Sequence, residues 1–247
     1  MNVKQSNPEE NVMPEAELYE QELVYMPYKM SLKDVLSLVS NTAPINACLV
    51  DMMCGTGYLL GKISEKRPDL NLLGVDIDPR YVSYAKLKYP NIKFEIGDVL
   101  TWNPGIKFNV VTCTGALHHI PYEKQDEALG NIARLVEKNP AGRGYALVSD
   151  CYIGEYSSEL ERRLAAAEFG YEYLKATIRN EAPQSVNGIA ADILKNDILM
   201  DEFKTSVSRR EEAFKNHFDY FNTWRVWPKT GDVSYGDYIT ILSEPKN

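Results

Sequence analysis

From residue 47 to residue 150, short apolar runs alternate with segments of helical periodicity. ACLVD (47–51), NLLGVD (71–76), IKFEI (92–96), FNVVTCT (108–114) and GYALVSD (144–150) read as strands. YLLGKISEKR, PRYVSYAKLKY and EKQDEALGNIARLVEK read as the helices between them, with Pro79 suited to a first helical turn. Strands this uniformly apolar, each followed by a long crossover, are those of a parallel sheet covered on both faces. Such a sheet binds ligands outside the carboxyl ends of its strands. Asp51, Asp76, Asp98, Thr114 and Asp150 stand at those ends. Four of the five are carboxylates, costly to bury without a partner.

The pattern changes after Asp150. Residues 153–216 look helical throughout, and HFDYFNTWRVW and YGDYITILSEP then flank PKTGDVS as an edge hairpin. Before the first strand, SLKDVLSLVS predicts a helix with Ser31 as its N-cap. Residues 1–17 are acidic and hold Pro8 and Pro14, which predicts a flexible tail ahead of one domain over 18–247.

Composition narrows the function. A net charge of −8 disfavours duplex nucleic acid as a partner. No run of about 18 apolar residues exists to span a membrane, and MNVKQSNPEE lacks the apolar stretch of a signal peptide. Cys48, Cys54, Cys113 and Cys151 show no CxxC spacing and lie in or beside apolar segments, as free thiols in a reducing cytoplasm would. No metal site is expected: of the three histidines, His118 and His119 are neighbours that would diverge on a regular element. Oligomeric state is not legible.

LVDMMCGTGYLL (49–60) breaks from an apolar strand into Gly55-Thr56-Gly57. The two glycines allow a tight turn and bring the backbone close to a ligand. The helix that follows directs free N–H groups at an anionic part of it. Asp76 falls at the spacing where such folds bind ribose hydroxyls, and Asp98 is placed to accept from an adenine amine. Together these describe an adenosine ligand. The third glycine of GxGxxG is missing, which disfavours a dinucleotide, and no GxxxxGK[ST] is present for a triphosphate.

DMMCGTG, GVDID, EIGDVL and TCTGALHHIP, in this order and spacing, resemble the motifs of class I S-adenosylmethionine-dependent methyltransferases. The resemblance covers about 45–152 and the terminal hairpin. It implies a Rossmann-like, seven-stranded, mostly parallel sheet with a C-terminal antiparallel hairpin, and a helical lid insertion over 153–205. It also implies S-adenosyl-L-methionine as cofactor. Asp51, Gly55 and Gly57 would hold its methionine part, and Asp76 its ribose hydroxyls. Ile77 would pack on the adenine, Asp98 and the Val99 backbone would bind it, and Thr114 would lie beside the sulfonium. One departure stands out: the family's first loop glycine is Met53 here, so the backbone takes another path or the side chain lines the cofactor pocket.

Methyl transfer needs alignment and, for some acceptors, a base. His118 and His119 follow the fourth strand, where an acceptor would meet the methyl group, and the resemblance favours His119. The [ND]PP[YFW] of amide and nucleobase methyltransferases is replaced by Thr114-Gly115-Ala116-Leu117, which points to small molecules, with natural-product tailoring one setting. The expectation is a cytoplasmic enzyme methylating an oxygen or nitrogen of a small molecule. The alternative is a non-catalytic cofactor-binding scaffold or partner subunit, which would have no acceptor cavity beneath the lid.

Overall fold

The computed structural model describes residues 15–138 and 144–246. Strands β1 (Cys48–Met52), β2 (Asn71–Asp76), β3 (Lys93–Ile96), β4 (Val110–Thr114), β5 (Tyr145–Tyr152), β6 (Phe218–Trp227) and β7 (Gly236–Pro245) form one sheet. Its order is β3-β2-β1-β4-β5-β7-β6. The first five strands are parallel, and β7 runs antiparallel to both β5 and β6. Strand order reverses between β1 and β4, so their carboxyl ends border the crevice where this architecture holds its ligands. The seven-stranded mixed sheet anticipated from sequence is the one observed.

Strand alternation assigns each side chain to a face. Val50, Met52, Val111, Cys113, Ala146 and Val148 share one core cluster. Leu49, Val110, Leu147 and Ile239 point to a second. Helices α2 (Tyr28–Thr42), α3 (Tyr58–Lys66) and α4 (Pro79–Lys88) cover the second face, through residues such as Val35, Leu60 and Val82. Helices α5 (Tyr122–Leu135) and α8 (Val207–His217) cover the first, through Leu129, Ile132 and Phe214. Asp78 caps α4 by accepting from the Arg80 N–H, and Pro79 takes the first turn as expected. No helix among the described residues is long and apolar enough to cross a membrane.

Three expectations need correction. Ser31 does not cap α2: the helix begins at Tyr28 after Pro27, and Ser31 lies a turn inside it, fully buried. Proline has no N–H to satisfy and presets the helical φ, so it can open a helix earlier than the serine signal suggests. A helix, α1 (Ala16–Tyr25), precedes it, unassigned in sequence because three glutamates interrupt its apolar stripe. Of the expected flexible tail, residues 1–14 lie outside the described residues, and Ala16 and Glu17 belong to α1. Nor is 153–216 one helical stretch. Helices α6 (Glu159–Arg179) and α7 (Gln184–Leu199) pack on each other, and residues 200–206 then cross back to the sheet. That crossing is pinned where Ile153 bridges Ser206 and the Phe203 N–H donates to the His118 carbonyl at 2.7 Å.

The turn after β3 is held from the other side of the sheet. Asn131 of α5 is buried and donates through Nδ2 to the Val99 carbonyl at 2.7 Å and the Trp102 carbonyl at 3.0 Å. Asn131→Leu would leave both carbonyls unpaired, so urea unfolding should show a loss of about 1–3 kcal/mol; unchanged stability would contradict this role.

Candidate functional site

The strand-to-helix turn after β1 runs through three left-handed residues, Met53 (φ 57°), Gly55 (53°) and Gly57 (73°). Two are glycines, which accept this conformation freely. Met53 adopts it at a cost of about 1–2 kcal/mol. The chain therefore keeps the path a glycine would give, and the Met53 side chain both packs on the core and lines a cleft of about 20 Å³ beside Asp51 and Thr114. A side chain at Gly57 would come within 2.7 Å of the Phe94 ring, so this position is closed to larger residues by packing as well as by φ. The Cys54 N–H donates to the Val75 carbonyl at 3.0 Å and ties the turn to β2.

Two buried carboxyls organise the turn. Asp76, at the end of β2, accepts from the Gly55 N–H through Oδ2 at 2.8 Å and from the Asp78 N–H through Oδ1 at 2.9 Å. Burial pushes its pKa up, and these bonds oppose the rise. Asp51, one strand away, accepts from Thr112 Oγ1 at 2.6 Å. Burial pushes it up to about 7, with the Thr112 bond opposing and the Asp76 charge adding. Beyond Asp76, Ile77 stands 62% exposed at the rim of the crevice. Asp98 accepts from the Leu100 N–H at 2.9 Å, and Val99 is buried behind it. The structure thus gathers Asp51, Met53, Gly55, Gly57, Asp76 and Thr114 around the crevice, with Ile77, Asp98 and Val99 along its β2–β3 side.

A second, larger cavity of about 380 Å³ begins at Gly115, immediately past Thr114. Helices α1, α6 and α7 wall it, and the 3-10 turn Leu117–His119 and the 200–206 crossing supply its polar side. The two histidines do not diverge. The tight turn brings their rings to 4.1 Å between centroids, and both line this cavity. His118 Nδ1 lies 2.6 Å from Asp150 Oδ1 and its Nε2 lies 3.9 Å from Glu202 Oε2. Burial would raise the Asp150 pKa, but His118 and Arg210 bring it below its ordinary value. An ionised Asp150 accepts the Nδ1 proton and leaves His118 Nε2 as the free acceptor. His119 presents its ring to the open cavity and is solvent-exposed there; the surrounding walls and the neighbouring His118 move its pKa down.

Four further residues of this cavity had no motif to announce them. Lys204 is buried, with Nζ at 2.5 Å from Asp197 Oδ1 and in contact with Glu202 Oε2. Glu22 of α1 and Asp237 of β7 are 8% and 2% exposed, and each has an oxygen without a hydrogen-bond partner. Burial pushes Glu22 up to about 8 and Asp237 well above its ordinary value. An acid within an apolar strand pattern, as in YGDYITIL, was the available signal for Asp237.

His118, Asp150 and Cys151 bring three potential metal-ligand atoms together, as do His118, His119 and Glu202. The first group contains a thiol that burial raises well above its ordinary pKa, and in the second Lys204 already supplies the positive charge on Glu202.

Residues 49–139 match the model of the family described as "Methyltransferase domain". Over those residues the chain is similar to a methyltransferase domain. Within and around that domain the chain is 27% identical over 132 residues to trans-aconitate 2-methyltransferase from Methylobacterium nodulans, covering 53% of this chain and 48% of that protein. It is 28% identical over 127 residues to a dTDP-3-amino-3,6-dideoxy-alpha-D-glucopyranose N,N-dimethyltransferase from Streptomyces fradiae, covering 49% of this chain and 48% of the relative. The chain spans half or less of the length of these curated relatives. Magnesium protoporphyrin IX methyltransferase from Synechocystis PCC 6803, solved with bound SAH, shares the fold: TM-score 0.58, 16% identity, covering 98% of this chain and 90% of that one.

The buried acid of β1 yields a pH prediction. Folding raises the Asp51 pKa, so its contribution to stability is complete below the ordinary carboxylate range and is lost as pH rises through about 7. Comparing melting temperatures at pH 5 and pH 8, Asp51→Asn should gain on the wild-type chain at pH 8; a difference independent of pH would refute the assignment.

Proposed function

We propose that this chain transfers the methyl group of S-adenosylmethionine to an oxygen or nitrogen of a small molecule held in the large cavity. The observation carrying this reading is adjacency. The turn built by Asp51, Gly55 and Gly57 and the 380 Å³ cavity meet at Thr114 and Gly115. The donor set suits the cofactor: Asp76 keeps lone pairs on both oxygens for two ribose hydroxyls, and the buried Thr56 hydroxyl beside Asp51 lacks a partner. Ile77 would cover the adenine, Asp98 and the Val99 backbone would bind its edge, and Met53 and Thr114 would border the methionine end. A side chain on Gly55 would lie 3.5 Å from the Tyr19 ring, so a ligand resting on this turn moves that ring aside.

When bound, the cofactor supplies a sulfonium methyl that needs no further activation. The protein aligns the acceptor against it, and such alignment is worth about 7–11 kcal/mol in favourable cases. Helices α6 and α7 act as the lid that holds the acceptor and excludes water. Of the two histidines we assign His118 as the proton acceptor in place of His119. Asp150 orients His118 and offsets the imidazolium charge, whereas the lowered pKa makes His119 a weak base. The cavity beneath α6 and α7 favours catalysis over a scaffold role. Natural-product chemistry, as the name of the amino-sugar relative suggests, is a fitting setting. Four free cysteines suit a cytoplasmic location.

Calorimetry with S-adenosylhomocysteine tests the cofactor site: Asp76→Ala should weaken binding at least tenfold, since the ribose loses a buried charged partner. Equal affinity would sink that assignment. With labelled cofactor and a panel of phenols, amines and carboxylates, His118→Asn should lower turnover by about 10²-fold or more and His119→Asn by less. The reverse order would exchange their roles.

A further inference from the structure

The large cavity has an unequal distribution of charge. Glu22, Asp192, Glu202 and Asp237 line it, and Lys204 is its one lining cation among the described residues. Lys204 is already shared between Asp197 and Glu202. His118 is engaged by Asp150, and His119 is neutral near pH 7. No positive charge is therefore left for an anionic acceptor.

Two of the carboxyls point to the opposite kind of ligand. Asp237 Oδ2 and Glu22 Oε1 are buried in the cavity wall without hydrogen-bond partners. With no cation paired to them, burial raises both pKa values, to about 8 for Glu22, and an ammonium between them reverses that shift and restores the charged form. Its N–H donors also remove the cost of an unpaired buried acceptor, about 1–3 kcal/mol. Asp237 lies on β7, three strands from β1 in the sheet order. It pairs with Cys151 of β5, the strand beside β4, and so lies on the acceptor side of Thr114. Aromatic rings complete the wall: Phe169, Tyr173 and Tyr28. One ammonium already sits on such a face, with Lys204 Nζ 5.4 Å from the Phe169 ring centroid.

We propose that the methyl acceptor carries a basic amine, held as its ammonium by Asp237 and Glu22 against the aromatic wall. This rests on the methyltransferase reading above and narrows its acceptor from oxygen or nitrogen to a basic nitrogen. The ammonium gives one proton to His118 Nε2, the acceptor assigned above. The freed lone pair bonds the methyl carbon as the C–S electrons return to sulfur, and the positive charge passes from sulfur to the N-methylated product.

The test uses the full chain saturated with S-adenosylhomocysteine, titrated calorimetrically at pH 7 with phenethylamine, 2-phenylethanol and 3-phenylpropionate. These probes share a phenyl group on a short alkyl chain and differ in charge. Phenethylamine should bind at least tenfold more tightly than either of the others. Asp237→Asn should remove most of that preference while leaving the affinity for S-adenosylhomocysteine unchanged. Glu22→Gln makes the same comparison should the first variant fail to fold. Equal or tighter binding of the alcohol or the carboxylate, no binding of the amine, or a preference that survives both substitutions would overturn the proposal and leave the methyltransferase reading standing. Failure of S-adenosylhomocysteine to bind the wild-type chain would remove both.

Discussion

The Asp76 carboxylate, accepting the Gly55 N–H with one oxygen and the Asp78 N–H with the other, fixes the geometry on which the crevice depends. It joins the end of β2 to the turn leaving β1 and sets the entry of α4 at the same time. With the Cys54 N–H bound to the Val75 carbonyl, the turn has no freedom to retreat when Met53 is forced left-handed. The about 1–2 kcal/mol that Met53 costs is small beside what these buried bonds and the Phe94–Gly57 packing enforce. Backbone path, not residue identity, is what the turn preserves at that position.

The acceptor side is held by a different interaction. Residues 200–206 cross back beneath the 3-10 turn, and the Phe203 N–H bond to the His118 carbonyl locks the two together. The crossing delivers Glu202 and Lys204 next to His118, so one segment positions a carboxylate, an ammonium and an imidazole within one network. Burying such groups is costly unless each is paired. Lys204, Glu202, Asp150 and His118 satisfy that condition among themselves. Asp150 Oδ2 also lacks a hydrogen-bond partner, but Asp150 has His118 beside it, whereas Asp237 and Glu22 have no ion pair among the described residues.

Much of the core was legible because it is local. Strand periodicity, Pro79 at a helix start, and acids placed where apolar runs end each concern a few adjacent residues. They carried the parallel strands, the turn and the strand-end positions of Asp51, Asp76 and Asp98. What stayed hidden depends on contacts far apart in the chain. Asp150 meets His118 across 32 residues, and Asp237 reaches the cavity only because β7 inserts between β5 and β6. The two histidines share a cavity because the chain after β4 closes into a 3-10 turn, a conformation that ALHHIP does not announce. Helix α1 hid its buried face behind glutamates, one of which, Glu22, turns out to belong to that face.

The two halves of the crevice therefore draw on different parts of the sequence. Under the proposed function, the turn after β1 would meet its ligand with backbone N–H groups and strand-end carboxylates, features available to any chain that folds this sheet with glycines in the turn. The cavity past Gly115 is made largely of side chains from α1, α6, α7 and the 200–206 crossing, which the sheet itself does not dictate, with Asp237 added from β7. Changes in those elements can alter charge and shape without disturbing β1, β2 or their turn. Under the proposed function, chemistry common to this fold would rest on the turn, and choice of acceptor on the charges gathered beneath α6 and α7.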